Sequence, residues 1–289
     1  MLYTTPKSLY ISDITTSTKV GEDLSAEFSF DVEYHLENQE KEDVQCNIQL
    51  LDGAEDRVVA ESFSCRDTRR LAAPKLWWPH LMSEQPGHMY QLRVSVISVK
   101  HGMDEYSLGV GLRQTCQRCS MMFDMESTGR LYSPFRTSSN IVYMSGLRQV
   151  SWSNSSLLIN NKPFYFRGFG RHEDSNIRGK GADLPLFARD YNLIKWMGAN
   201  SYRTSHYPYD DQLMDFADRN GIVIIDECPG VALDHFEAPL LAHHLAVMTE
   251  LVARDKNHPS VIMWSVGNEP RSYRNQSGGQ PRAQSGSPW

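Results

Sequence analysis

The chain has 289 residues, a formal net charge of −6 at pH 7 and 40% hydrophobic residues. This length allows two domains of ordinary size, and the acidic balance gives no electrostatic reason to expect nucleic acid or an anionic membrane as a partner. No stretch approaches the roughly 18 apolar residues of a membrane span, and Met1–Pro6 lacks the apolar core of a signal peptide, so the sequence as given predicts a cytoplasmic chain.

The five cysteines, an odd number, exclude a complete set of internal disulfides. Cys116 and Cys119 form one Cys-x-x-Cys pair, but neither a second pair nor a His-x-x-x-His motif stands at zinc spacing. The sequence therefore predicts no metal centre and no cofactor.

Residues 1–114 have a β pattern. Short alternating runs such as Ala26–Val32 and Tyr90–Val96 are separated by turn residues, which is typical of an antiparallel sandwich. The side chains of Trp77 and Trp78 are predicted to close one end of the sandwich core. The alternative is a surface aromatic patch that binds sugar.

In residues 115–149 the apolar residues show neither the alternation of a strand nor the spacing of a helix over any sustained length. The tetrapeptide Gly-Leu-Arg-Gln occurs at 111–114 and again at 146–149, and deletion of 115–149 would join the last predicted strand directly to Val150. Structureless loops of this length are uncommon inside compact domains. We interpret 115–149 as an insertion or irregular linker, with chance repetition of four residues as the alternative.

In residues 150–270 strands alternate with helices in the order β-α-β-α-β-α-β, which is typical of a right-handed α/β layout. Gly198 and Gly221 end the first two helices, and Pro259 leads into the last strand. The polar tail, 271–289, has too little apolar area to order itself. The predicted strands are 164–166, 199–203, 222–226 and 261–266, and the predicted helices lie around 186–197, 210–219 and 241–252.

Polar side chains follow each predicted parallel strand. In an α/β barrel these positions converge on one mouth, which favours a shared site. The last strand delivers Asn268 and Glu269, and Glu269 is the leading candidate for a general acid/base. The alternative is a Glu that caps the next element or pairs with an Arg. In chain order the polar residues are Arg167, Arg171, His172, Glu173, Asp174, Arg203, His206, Asp226, Glu227, Asn268 and Glu269.

Three segments resemble the signatures of glycoside hydrolase family 2: Asn200–Pro208, Asp218–Val223 and Asp255–Glu269. Further segments at 172–174, 177–181 and 226–231 are similar to the animal β-glucuronidases within that family, with β-galactosidase and β-mannosidase relatives as the alternatives. The resemblance implies an immunoglobulin-like β-sandwich followed by the first half of a TIM (β/α)8 barrel. The animal members that it points to are lysosomal glycoproteins that form tetramers.

The resemblance also implies roles for four residues. Glu269 matches the acid/base of a retaining glycosidase, and Asn268 matches the amide that hydrogen-bonds the 2-hydroxyl of the sugar. His206 matches a sugar-binding His, and Arg203 is similar to the Arg that orients the nucleophile, although both could instead be scaffolding of the second strand. The implied ligand is a β-glucuronide or a saccharide derived from a glycosaminoglycan.

The family pattern is incomplete in this sequence. A retaining mechanism needs a second carboxylate about 5–5.5 Å from the first, and in the family this nucleophile lies on a later strand, past Pro270. We therefore expect the chain by itself to be inactive or nearly so, and its open sheet edges to favour association. The alternative function is a non-enzymatic binding or regulatory fragment that pairs with full-length subunits.

Overall fold

The computed structural model describes residues 8–37, 44–52, 57–110, 148–233 and 237–270. The interpretations of 115–147 and of the tail 271–289 lie outside these residues. The predicted order of a β-sandwich followed by an α/β unit is present. Within the described part of the chain, no helix has the length and apolar character that a membrane crossing requires.

Two antiparallel sheets form the sandwich, in the orders β1-β2-β5 and β4-β3-β6-β7. Alternate side chains of each strand face the core between the sheets, so that Phe28 and Phe30 of β2 are buried while Glu27 is exposed. A disulfide joins Cys46 of β3 to Cys65, just before β5. The strands are β1 Leu9–Val20, β2 Ala26–Leu36, β3 Val44–Asp52, β4 Arg57–Ser62, β5 Arg66–Leu71, β6 Tyr90–Ser98 and β7 Gly102–Val110.

The prediction for the tryptophan pair is correct for one ring only. Trp78 packs against the sandwich core. Trp77 is fully buried in a different cluster, together with Phe164, Val223 and Ile262, so it joins the sandwich to the barrel strands and cannot be a surface patch. A three-stranded antiparallel meander completes this cluster, with β8 Val150–Trp152, β9 Leu157–Ile159 and β10 Lys162–Phe164.

A parallel four-stranded sheet in the order β11-β12-β13-β14 follows, with a helix after each of the first three strands. The predicted first strand, 164–166, is wrong. Phe164 ends β10, where it pairs with Leu157 and is buried in the same cluster as Trp77, and the parallel sheet starts only at Gly168. The elements are β11 Gly168–Arg171, α1 Leu184–Trp196, β12 Ser201–Thr204, α2 Asp211–Asn220, β13 Val223–Glu227, α3 Ala238–Asp255 and β14 Val261–Ser265.

Local sequence explains where the first two helices start and stop. The side chains of Asp183 and Asp210 accept hydrogen bonds from backbone N–H groups in the first turns of α1 and α2. Gly221 ends α2 at φ 66°, a conformation that glycine adopts without steric cost. The helix predicted around 241–252 corresponds to α3, and its apolar residues are only partly buried: Leu241 and Leu245 are exposed, while Met248 packs inward.

Candidate active site

The carboxyl ends of β12, β13 and β14 bring three of the four predicted site residues together around the carboxylate of Glu227. Glu227 is fully buried at the end of β13. Its Oε1 lies 2.9 Å from His206 Nδ1, and its Oε2 lies 3.2 Å from Arg203 Nε. Ser265, its register partner on β14, donates a hydrogen bond of 2.6 Å to Oε2. One carboxylate thus forms an ion pair with Arg203 and hydrogen bonds with His206 and Ser265.

The guanidinium of Arg203 extends this network to the loop after β14. Its Nη2 donates to Asn268 Oδ1 at 3.4 Å and also lies 3.3 Å from His206 Nδ1. The backbone fixes Asn268 on both sides, because its N–H donates to Gly230 O at 2.7 Å and its carbonyl accepts from Ala232 N at 2.8 Å. Arg203, His206 and Asn268 therefore lie in one connected network.

Glu269 follows this fixed residue but does not join the network. Its side chain is exposed, and its backbone has φ 48°, in the left-handed region that costs a non-glycine residue about 1 kcal/mol. A residue held in such a conformation next to a polar cluster is typical of functional loops. The burial expected of a catalytic acid is not supplied by the described residues.

Three of the other polar residues that follow the strands point away from the mouth. Arg171 is buried, forms a salt bridge of 2.8 Å with Asp190 and lies over the rings of Tyr202 and Tyr209. The carboxylate of Glu173 accepts a hydrogen bond from the backbone N–H of Asp210, and burial raises its pKa. These residues are scaffolding in the helix layer.

Asp226 also belongs to the helix layer, since strand residues alternate between faces and Glu227 faces the mouth. Its Oδ1 accepts from Thr204 Oγ1 at 3.1 Å. Burial, assisted by the neighbouring carboxylate of Asp255, raises the pKa of Asp226 well above its ordinary value. The sequence did not separate the roles of Asp226 and Glu227, although the alternation of strand residues was the available signal.

The loop after β11 forms one wall of the mouth. The ring of His172 lies edge-on to that of His206, with centroids 5.3 Å apart. Tyr207 donates a hydrogen bond to Asp174 at 3.2 Å, and the ammonium of Lys180 lies 3.7 Å from the centroid of the Tyr207 ring. The wall therefore combines aromatic, cationic and anionic groups, which suits a polar ligand such as a sugar.

A possible metal-binding group, Asp215, Asp218 and His258, lies at the opposite end of the strands. Burial by itself would lower the pKa of His258, but the Asp218 carboxylate at 2.6 Å outweighs it and raises the pKa to about 10. A ligating imidazole must be neutral. The charges of this group therefore fit an internal ion pair better than a metal ion.

Polar residues at the carboxyl ends of four parallel strands, preceded by a β-sandwich, are the layout of a sandwich joined to part of a TIM-barrel domain with its site at the barrel mouth. The chain belongs to glycosyl hydrolases family 2. Residues 9–113 match that family, and residues 150–279 match its TIM barrel domain. The predicted family and fold class are confirmed.

The chain is similar to animal and bacterial β-glucuronidases. It is 43% identical to the β-glucuronidase of Mus musculus over 94% of this chain and 36% of the mouse protein, and 40% identical to the Homo sapiens protein over 96% and 37%. The Dictyoglomus thermophilum β-D-glucuronidase structure has a TM-score of 0.71 and 35% identity, with 94% of this chain and 40% of that chain covered. A β-glucuronidase from Ruminococcus gnavus in complex with D-glucuronic acid has a TM-score of 0.72 and 29% identity over 93% and 38%. This chain therefore spans little more than a third of the length of its curated relatives.

Proposed function

We propose that this chain carries the acid/base half of the active site of a retaining β-glucuronidase, with β-D-glucuronides, including glycosaminoglycan-derived saccharides, as substrates. The proposal rests on the network in which Glu227 holds Arg203 and His206 and in which Arg203 reaches Asn268, the residue before Glu269. The similarity to β-glucuronidases, one of them solved with D-glucuronic acid, favours a glucuronide over a galactoside or a mannoside.

The proposed roles follow from the chemistry of these groups. Glu269 protonates the glycosidic oxygen as the aglycone leaves and then deprotonates the attacking water. Asn268 donates to the 2-hydroxyl of the sugar, and His206 binds the sugar at the mouth. Glu269 is exposed, so enclosure by substrate and by the rest of a barrel would supply the desolvation that keeps a carboxyl protonated.

A retaining mechanism also needs a nucleophilic carboxylate about 5–5.5 Å from the acid. Glu227 does not fit this role, because its carboxylate is buried and engaged by Arg203, His206 and Ser265. We propose that another part of a complete barrel supplies the nucleophile. The 289-residue chain tested alone is then expected to show no measurable hydrolysis.

The test is a chimera in which residues 1–270 are joined to the remaining barrel of mouse β-glucuronidase. We expect it to hydrolyse a fluorogenic aryl β-D-glucuronide at acidic pH, and we expect Glu269→Gln to lower kcat/KM by about 10²–10⁴-fold, the usual contribution of a general acid/base. Glu250→Gln, at an exposed position on α3, is the matched control and should leave the rate unchanged.

Three results would contradict parts of the proposal. Hydrolysis by the 289-residue chain that Glu269→Gln abolishes would show that the chain contains its own nucleophile. A chimera with normal activity after Glu269→Gln would remove Glu269 from the mechanism. A chimera that prefers the aryl β-galactoside or β-mannoside would overturn the choice of sugar.

A further inference from the structure

The buried carboxylate of Glu227 is the common acceptor for the polar side chains at the mouth. A fully buried carboxylate is costly unless donors satisfy it. Glu227 accepts a hydrogen bond from Ser265 Oγ at 2.6 Å, contacts His206 Nδ1 at 2.9 Å and forms an ion pair of 3.2 Å with Arg203 Nε, whose N–H donates to Ser205 Oγ at 3.4 Å. Its backbone N–H donates to Thr204 Oγ1 at 2.7 Å. A buried residue that lies beneath the surface of the mouth therefore fixes the positions of these side chains.

The contact with His206 selects a tautomer. A carboxylate accepts and cannot donate, so a hydrogen bond to Nδ1 requires the proton on Nδ1. Arg203 Nη2, 3.3 Å from Nδ1, can only donate and would need the opposite tautomer; we assign the hydrogen bond to the shorter contact of 2.9 Å with Glu227. The neutral imidazole then keeps a lone pair on Nε2, which can accept a hydrogen bond from a sugar hydroxyl. Without the carboxylate, this choice of tautomer would no longer be imposed.

The contact with Arg203 acts one residue further. The Nε edge of the guanidinium is held by the ion pair with Glu227 and by a hydrogen bond of 3.4 Å to Ser205 Oγ, so that Nη2 is directed to Asn268 Oδ1 at 3.4 Å. The amide oxygen of Asn268 is thereby used as an acceptor within the protein, which leaves its NH2 group to donate to a ligand oxygen. One buried carboxylate thus orients an acceptor on His206 and a donor on Asn268.

We propose that Glu227 is a positioning residue, which holds Arg203 and His206, and through Arg203 also Asn268, in the orientation that binds the sugar hydroxyls. The inference rests on the proposed function, because that function assigns His206 and Asn268 to the ligand. Glu227 touches no substrate itself. Its role requires a carboxylate, since Arg203, His206 and Ser265 face its two oxygens and an amide would turn an NH2 group towards at least one of them.

The first experiment needs neither ligand nor turnover. Nitrogen-15 NMR of the 289-residue chain, with His206 assigned by comparison with His206→Ala, reports the tautomer of His206 directly. We expect His206 of the wild type to carry its proton on Nδ1. A wild-type His206 protonated only on Nε2 would overturn the proposal, and this result does not depend on whether any Glu227 variant folds.

The second experiment uses Glu227→Gln, which preserves the shape of the side chain. In the folded variant we expect either a change of the His206 tautomer or a shift of the Arg203 Nε–H resonance, because a neutral amide cannot present an oxygen both to His206 and to the Arg203 Nε that lies 3.2 Å from Glu227 Oε2. Glu250→Gln, at its exposed position, should change neither signal. Unchanged His206 and Arg203 signals in folded Glu227→Gln would overturn the proposal.

Ligand binding separates this inference from the proposed function. Titration of the chain with D-glucuronic acid should give an affinity that Glu227→Gln weakens by about tenfold, the loss expected when about one hydrogen bond to the ligand is misplaced. Equal affinity in the two proteins would contradict the positioning role. If the wild type does not bind D-glucuronic acid, that result counts against the proposed function, and the tautomer of His206 still decides the role of Glu227.

Discussion

Asp218 of α2 is bonded to the segment before β14 and to Trp77, at the amino ends of the barrel strands. Its Oδ1 accepts from Ser260 N at 2.9 Å, its Oδ2 lies 2.6 Å from His258 Nδ1, and its backbone carbonyl accepts from Trp77 Nε1 at 2.8 Å. The raised pKa of His258 keeps the imidazole charged at neutral pH. Residues of the family signature segments, Asp218 and His258, therefore form a structural ion pair far from the proposed chemistry.

The ion pair predicts that stability depends on pH through His258. Its pKa is about 10 in the folded state and 6.5 as an ordinary value, so the folded state binds the proton more tightly. The contribution is fully present below pH 6.5 and is lost as the pH rises through about 10. We expect His258→Gln to lower the free energy of unfolding by about 2–3 kcal/mol near neutral pH and by much less above pH 10.

Urea unfolding at the two pH values measures this difference. His243→Gln, at an exposed position on α3, is the control and should have little effect at either pH. Equal destabilisation by His258→Gln at both pH values would show that shape, and not charge, accounts for the role of His258.

At the scale of elements, the second copy of the repeated tetrapeptide is part of the fold. Arg148 is fully buried, donates to the carbonyls of His258 and Val261 and lies over the Trp77 ring. Gln149 accepts from Val20 N at 2.7 Å and donates its own N–H to Asn160 Oδ1 at 2.7 Å. Deletion of 115–149 leaves Arg113 and Gln114 in front of Val150, so the same two residue types return to these positions.

The deleted chain is therefore expected to keep its fold, with a free energy of unfolding equal to that of the full chain or higher, because a shorter connection costs less entropy to close. Arg148→Ala in the full chain and Arg113→Ala in the deleted chain should each cost roughly 2 kcal/mol, since both remove the buried guanidinium. Thermal and urea unfolding of the four proteins check this. Loss of folding in the deleted chain would show that 115–149 belongs to the domain core.

The sequence predicted correctly those elements in which the spacing of apolar residues and the capping residues indicate the same boundaries. It failed where contacts between distant parts of the chain determine the structure. The helix after β12 was predicted within one residue because Asp210 caps it and Gly221 ends it. The run Phe164–Phe166 has a strand pattern, but the pairing of Phe164 with Leu157 and its burial in the cluster of Trp77 assign it to the meander. For the site, the polar residues after the strands predicted a shared mouth, and the family resemblance singled out Arg203, His206 and Asn268 among them. The central position of Glu227 depends on distances across strands, which sequence spacing does not contain.

At the scale of the whole molecule, the first six residues of the signature segment, Asp255–Ser260, connect the sandwich to the barrel through side-chain contacts. Lys256 forms an ion pair with Asp13 and donates to Thr15 Oγ1 at 2.8 Å. Asn257 donates its side-chain N–H to Ile14 O at 2.8 Å and accepts from Thr16 Oγ1 at 3.1 Å. Because β14 begins directly after this segment, the same short stretch sets both the position of the sandwich and the start of the strand that leads to Glu269.

Asn257→Ala should therefore loosen the junction of the two domains without damaging either core. It removes both hydrogen bonds to β1 and leaves the partly buried carbonyl of Ile14 without this donor. We expect the free energy of unfolding to fall by roughly 1–3 kcal/mol. Native-state hydrogen exchange measures the effect by region. We expect the amides of β1 and of residues 256–261 to exchange about ten times faster or more, while those of β6 and β13 keep their rates. Asn154→Ala, at an exposed position, is the control, and uniform acceleration across both domains would mean that the junction and the cores unfold as one unit.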